Sequence, residues 1–203
     1  MFNEIGLINM VNELEINKNK TAIVVIDLQK GIAAIESEPY PVKKVIENVS
    51  NLLGYIRKNN MTVFLVHVSP SPDLKDSLHP KAETTFSMSA FNPSWSEFVP
   101  ELNVQPTDFL ITKHQWGAFY GTELDLQLRR RGIDTIILCG VATNMGVEST
   151  ARFAFEYGFN QILVEDAMAA RSKEEHEYPI KYIFPRLGLI RKTVEVLQAL
   201  NKS

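Results

Sequence analysis

"DTIILCGVATNMGVESTAR", residues 134–152, opens as an unbroken apolar run, turns at a glycine and continues as a helical pattern. An α/β hydrolytic enzyme often places its nucleophile at such a strand-turn-helix junction. The question this stretch raises is what Gly146, which has no side chain, does there.

Similar apolar runs recur on both sides of this stretch: "TAIVVID" (21–27), "MTVFLVHV" (61–68), "DFLITK" (108–113), "NQILVED" (160–166) and "LGLIRK" (187–192). They are apolar throughout rather than alternating, as expected for parallel strands covered by helices on both faces. Helical patterns fill the gaps. Val42, Val45, Ile46, Val49, Leu52, Leu53 and Ile56 recur at helical spacing after Pro41, which suits a first turn. In "TELDLQLRRRG" Thr122 is placed to cap, Asp125 stands where a capping-box acid would, and Gly132 closes the end. "VESTARFAFEYG" also ends on a glycine, Gly158, and the segment starting at Ser172 should be bent or split by Pro179. The reading is a three-layer α/β/α, Rossmann-like domain spanning 1–203. One segment breaks the rhythm: residues 69–107, rich in Pro, Ser and aromatics, are too long for an ordinary connection and read as a lid, binding loop or contact surface.

The bulk numbers exclude several classes. With 21 Lys plus Arg against 24 Asp plus Glu, net −3, the chain carries no electrostatic footprint for nucleic acid or an anionic membrane, and a small-molecule partner is expected. The first twenty residues lack a basic region followed by a continuous apolar stretch, so no signal peptide is read there. A single Cys excludes internal disulfides and fits a reducing, cytoplasmic setting. After the first strand a dinucleotide enzyme needs glycines, whereas this chain has "DLQKG", with the Asp27 carboxylate where a phosphate would sit. Neither a G-x-x-x-x-G-K-[ST] loop nor a G-x-S-x-G elbow is present. No cofactor is expected.

In an open parallel sheet, ligands bind beyond the carboxyl ends of the strands. Asp27 follows the first strand, Lys113 ends the third, and the 140–146 turn follows the fourth. "VIDLQ", "TKHQWGAFYGT" and "CGVATNMGVESTAR", in that order and spacing, resemble the isochorismatase-like, or cysteine hydrolase, superfamily from about residue 20 onward. The resemblance implies a six-stranded parallel sheet and a catalytic set of Asp, Lys and Cys, whose positions fall on Asp27, Lys113 and Gly146. It also implies a cis peptide between Val141 and Ala142 that turns the N–H groups of Ala142 and Gly146 toward the ligand.

With glycine at the nucleophile position, a thiol mechanism is excluded; Cys139 lies seven residues earlier inside the strand run and reads as a small buried hydrophobe. Two readings fit. One is a hydrolase without a covalent intermediate, similar to the superfamily's true isochorismatases, with Asp27 as general acid or base, Lys113 as its electrostatic partner and Gly146 leaving room for substrate or water. The other is a catalytically inactive relative serving as a small-molecule binding or assembly protein. The stretch between Arg57 and Arg129 contains no arginine, which disfavours a dianionic substrate and points to a neutral or singly charged one.

Gln29, His67, Trp116, Phe119, Tyr120, Val141 and Ala142 are the candidate substrate-binding residues, with Phe86, Phe91 and Trp95 as further aromatic wall. Thr143 and Asn144 are placed to cap the helix, and Glu148 and Arg152 to pair along it. Nicotinamidase members of the superfamily bind zinc through an Asp-x-His pair and a further His. Asp76 and His79 here are spaced D-x-x-H, with His67 upstream and His114 beyond, so no metal is expected. The resemblance and the aromatic 69–107 segment imply a homodimer or homotetramer.

Overall fold

The computed structural model describes residues 14–84 and 92–202. The predictions for Phe86, Phe91 and the first thirteen residues lie outside the described residues. All six expected strands form: β1 (Thr21–Ile26), β2 (Thr62–Val68), β3 (Phe109–Lys113), β4 (Thr135–Val141), β5 (Asn160–Ala169) and β6 (Leu189–Arg191). They join in one parallel sheet of order β3-β2-β1-β4-β5-β6. The chain winds outward from β1 in one direction, returns, and winds outward in the other. The order therefore reverses between β1 and β4, which creates a crevice at their carboxyl ends.

The central strand β1 is buried at every residue, and its alternation assigns the two faces. Ile23 and Val25 point into one core with α2 (Val42–Lys58) and α6 (Thr193–Lys202); Ala22, Val24 and Ile26 point into the other with α3 (Leu124–Arg130) and α4 (Glu148–Glu156). In α2 the periodic residues Val45, Ile46, Val49, Leu52, Leu53 and Ile56 are buried, each contributing about 2 kcal/mol by leaving water. The helix also carries buried Asn48, whose amide donates to the Asp166 carbonyl at 2.6 Å.

Local signals act mostly as read. Gly132 and Gly158 adopt φ of 66° and 78° and stop α3 and α4. Ser172 accepts the Glu175 N–H at 3.2 Å and caps α5 (Lys173–Tyr178), and the helix changes at Pro179 into a wide turn, Pro179–Ile183. Thr122 accepts the Leu124 N–H at 3.1 Å, but Asp125 does not complete a capping box; it pairs with Arg129 one turn on, at 3.1 Å. An i,i+4 partner on the exposed face competes successfully for that carboxylate.

The long segment 69–107 is partly stapled to the sheet. Residues 97–99 run antiparallel beside 28–30: Lys30 N–H donates to Glu97 at 2.8 Å, and Val99 N–H to Leu28 at 3.1 Å. The four-residue helix α1 (Lys30–Ala33) begins there. Its Gly31 provides the slot for the Trp95 indole, since a Cβ on Gly31 would lie 1.8 Å from that ring.

Gly140, at the end of β4, has φ of 114°, and a Cβ there would lie 2.0 Å from the Ile26 carbonyl oxygen. Gly140→Ala is expected to cost about 3 kcal/mol or more, from strained backbone and a broken β1–β4 contact. Urea denaturation checks this, and an unchanged midpoint would contradict it.

Candidate functional site

Asp27 immediately follows β1 with a left-handed backbone, φ of 53°, which a non-glycine residue adopts at a cost. Its N–H still joins the sheet, donating to Val66 at 2.9 Å, while the residue is only 5% exposed. Lys113 lies two strands away on β3, and its long side chain crosses over the end of β2 to bring Nζ within 2.7 Å of Asp27 Oδ2. The ammonium also donates to the carbonyls of Trp116 at 2.7 Å and Gln115 at 3.1 Å. Its three hydrogens are thus all committed, which satisfies a side chain only 1% exposed.

The two carboxyl oxygens of Asp27 differ. Oδ2 takes the Lys113 bond, whereas Oδ1 is buried with no hydrogen-bond partner. Desolvation by burial raises the carboxyl above its ordinary value and outweighs the opposing pull of Lys113, with smaller opposing contributions from His67 and the Val68 backbone. The site therefore holds a carboxyl whose pKa is raised by burial, with one oxygen bonded to Lys113 and the other unpaired.

The elbow closes on this pair. Val141 and Ala142 are joined by a cis peptide bond, as the resemblance implied. The Ala142 carbonyl accepts the N–H groups of Met145 and Val147 at 3.1 and 3.2 Å, within a wide turn, Thr143–Val147, that leads into α4. Gly146 brings its backbone against Asp27: a Cβ would sit 3.0 Å from Oδ2, 3.0 Å from Ile26 Cγ2 and 3.4 Å from the Trp116 carbonyl. The expected room for substrate or water beside Gly146 is therefore taken up. The glycine serves close approach rather than vacancy.

Several expectations need correction. Gln29, fully buried, neither orients Asp27 nor faces outward. Its amide donates to the carbonyls of Val68 at 3.0 Å and Trp95 at 3.2 Å and accepts the Val68 N–H at 2.9 Å, clasping β2 and the Trp95 turn to the rim. A strand-end amide has both a donor and an acceptor to offer, and exposed main chain on both sides claims them. Phe119 is a core residue, 4% exposed, packed on Tyr157 and Phe159. His67 is near enough to act on Asp27, but its ring nitrogens meet the Ser96 carbonyl at 2.7 Å and Thr112 Oγ1 at 2.8 Å, and its face stacks on Phe98. Trp116 and Tyr120 are 59% and 71% exposed, so their rings stand in solvent rather than forming a closed wall.

The capping role fails for both residues at the elbow: Thr143 Oγ1 bonds His176 Nδ1 at 2.8 Å, and the Asn144 side-chain oxygen is buried without a partner. Glu148 and Arg152 do pair, at 2.9 Å. Cys139 is fully buried and its thiol pKa is pushed up by burial. Asp76 is engaged by Ser71 and His114. Among the described residues no three His, Cys, Asp or Glu side chains are grouped to hold a metal. His176 was not singled out by the sequence, because a lone histidine on a short helix carries no periodic or motif signal.

A buried Asp27–Lys113 pair and a glycine-containing elbow lie together at the switch point of a parallel sheet. The chain matches the isochorismatase domain over residues 21–195. It is 51% identical over 191 residues to YwoC of Bacillus subtilis, an uncharacterized isochorismatase family protein, covering 93% of this chain and 98% of that one. It is 44% identical over 187 residues to YecD of Escherichia coli, likewise an uncharacterized isochorismatase family protein, covering 92% and 100%. An isochorismatase family structure from Burkholderia thailandensis superposes with a TM-score of 0.89 at 42% identity, covering 92% and 98%. The chain belongs to the isochorismatase family. No helix among the described residues is long and apolar enough to cross a membrane.

Removing Lys113 tests the electrostatics. Lys113→Met leaves Asp27 buried without its counter-charge, and removing one partner of a buried pair costs about 3 to 5 kcal/mol. A carboxyl whose folded pKa is raised contributes stability below its unfolded pKa and loses it as pH rises through the folded one. The variant is therefore expected to be more stable at pH about 5 than at about 8, by chemical denaturation; the opposite order would show that Asp27 is stably ionised without the lysine.

Proposed function

We propose that this protein is a hydrolase that acts on a small molecule without a covalent cysteine intermediate, with Asp27 as the general acid and base and Lys113 as its fixed partner. The observation that carries this reading is Asp27 itself: a carboxyl held above its ordinary pKa, one oxygen clamped to Lys113 and the other buried and unpaired. A group poised in this way delivers a proton from Oδ1 and takes one back.

On a vinyl ether the steps balance as follows. Asp27 protonates the terminal vinyl carbon, and the adjoining carbon becomes oxocarbenium-like. Water adds there and gives its proton to the carboxylate; Asp27 then passes that proton to the departing ether oxygen as the C–O bond breaks and takes up the hemiketal hydroxyl proton, releasing a ketone and an alcohol. Lys113 stabilises the carboxylate formed midway. It does not contact substrate, since its three hydrogens are occupied. Gly146 lets the elbow lie against the acid and exclude water from Oδ2.

The substrate we infer is neutral or singly charged. Lys113 is fully committed, Arg57 is bound to Asp108 at 2.6 Å, and Lys30 is paired with Glu97, so none of these meets a pair of carboxylates. Trp116, Tyr120, Val141 and Ala142 remain the candidate contacts around the acid. We also propose that the protein works as a homo-oligomer, with the exposed Trp116 and Tyr120 rings covered in the assembly.

The first assay is pyruvate release from isochorismate, beside neutral vinyl ethers, for wild type and Asp27→Asn. The expected outcome is turnover of the less charged compounds in preference to isochorismate, reduced by at least about a hundredfold in Asp27→Asn. Full activity in that variant would refute the mechanism, and ligand binding without any turnover would favour a binding protein.

A further inference from the structure

Beside the elbow, His176 of α5 is 3% exposed, with its Nδ1 2.8 Å from the hydroxyl of fully buried Thr143. The Tyr40 ring meets it edge-on at 5.8 Å. The six-residue helix that carries it is fixed at its start from three directions. Ser172 accepts the Glu175 N–H at 3.2 Å, the Glu175 carboxylate accepts the Arg171 N–H at 3.1 Å, and the Glu38 carboxylate accepts the Lys173 N–H at 3.1 Å. Glu38 is itself paired with Ala170 through both main-chain bonds, at 2.9 and 3.0 Å. The imidazole is thus presented from a rigid mount to the first residue of the turn that, three residues later, lays Gly146 against Asp27.

We propose that His176 is a positioning residue for the active site: through the Thr143 hydroxyl it holds the elbow closed over Asp27 and keeps that carboxyl dry. This rests on the reading of Asp27 as the buried acid. A histidine serving only to fill space would be replaceable by an aliphatic side chain, and burying an imidazole there would bring only its desolvation cost. Burial lowers the His176 pKa to about 4, with Glu177 opposing it, so the ring is neutral at working pH and adds no charge beside the elbow. The groups facing it are Tyr40 and Thr143, with Glu177 on its own helix; those acting on Asp27 are Lys113 and His67.

The test uses the full chain without ligand and two readouts: amide hydrogen exchange at Met145 and Val147, and the carboxyl-carbon NMR titration of Asp27. Thr143→Val, an isosteric loss of the hydroxyl, and His176→Leu are each expected to speed exchange at least about tenfold. Both are also expected to lower the Asp27 pKa by about half a unit or more, as water reaches it. His176→Asn, whose amide reaches the Nδ1 position, is expected to restore both toward wild type. Unchanged exchange in Thr143→Val overturns the proposal even if His176→Leu fails to fold. Faster exchange with a fixed Asp27 titration also overturns it, by reducing His176 to packing, as does an Asn variant that behaves like Leu. A wild-type Asp27 that titrates as an ordinary carboxyl would instead refute the acid reading above, and exchange alone would then decide whether His176 holds the elbow.

Discussion

The ion pair between Lys113 and Asp27 is the constraint around which the upper edge of this molecule is arranged. Both groups are almost wholly removed from water, at 1% and 5% exposure, and charges so placed are tolerable only when each is bonded with good geometry. The lysine meets that condition with three acceptors from three residues. The aspartate does not, because Oδ1 is left without a partner. Burial of an incompletely bonded carboxyl is unfavourable to folding, and it raises the Asp27 pKa above its ordinary value.

The sheet topology explains why these residues meet. β1 and β3 are separated by β2, so Lys113 needs its full length to reach across a strand, and the reversal between β1 and β4 opens the space into which both residues project. Around them the rim is closed by contacts that serve no chemistry directly. Gln29 ties β2 to the Trp95 turn, residues 97–99 lie along 28–30, and Gly31 admits the Trp95 ring. The long segment read as a lid, binding loop or contact surface runs, at residues 97–99, along the edge of the site.

Much of the architecture was legible because it depends on patterns that act locally. Apolar runs of strand length, glycines at helix ends, the Ser172 cap and the Pro179 break are each read from a few neighbouring residues, and each appears where expected. The errors share a different cause. Asp125, Thr143, Gln29 and His67 are polar side chains with several possible partners, and the partner chosen lies on another element or another turn. Sequence position limits what such a group can donate or accept, but not which distant atom arrives to use it. Phe119 failed for a related reason: an aromatic near the site edge is equally suited to core and ligand, and packing on Tyr157 and Phe159 decided the matter.

By itself, the sequence determined the parallel sheet and the absence of a nucleotide-binding loop, which are properties of residue type and spacing, and its resemblance to a known family brought Asp27, Lys113 and Gly146 together as a candidate site. Only the tertiary structure decided that the lysine is fully spent on protein atoms, that one aspartate oxygen is left over, that Gly146 fills rather than opens the site, and that His176 stands beside the elbow. Those outcomes depend on the arrangement of side chains from strands and helices far apart in the chain, and on the exclusion of water that only a closed, close-packed interior imposes.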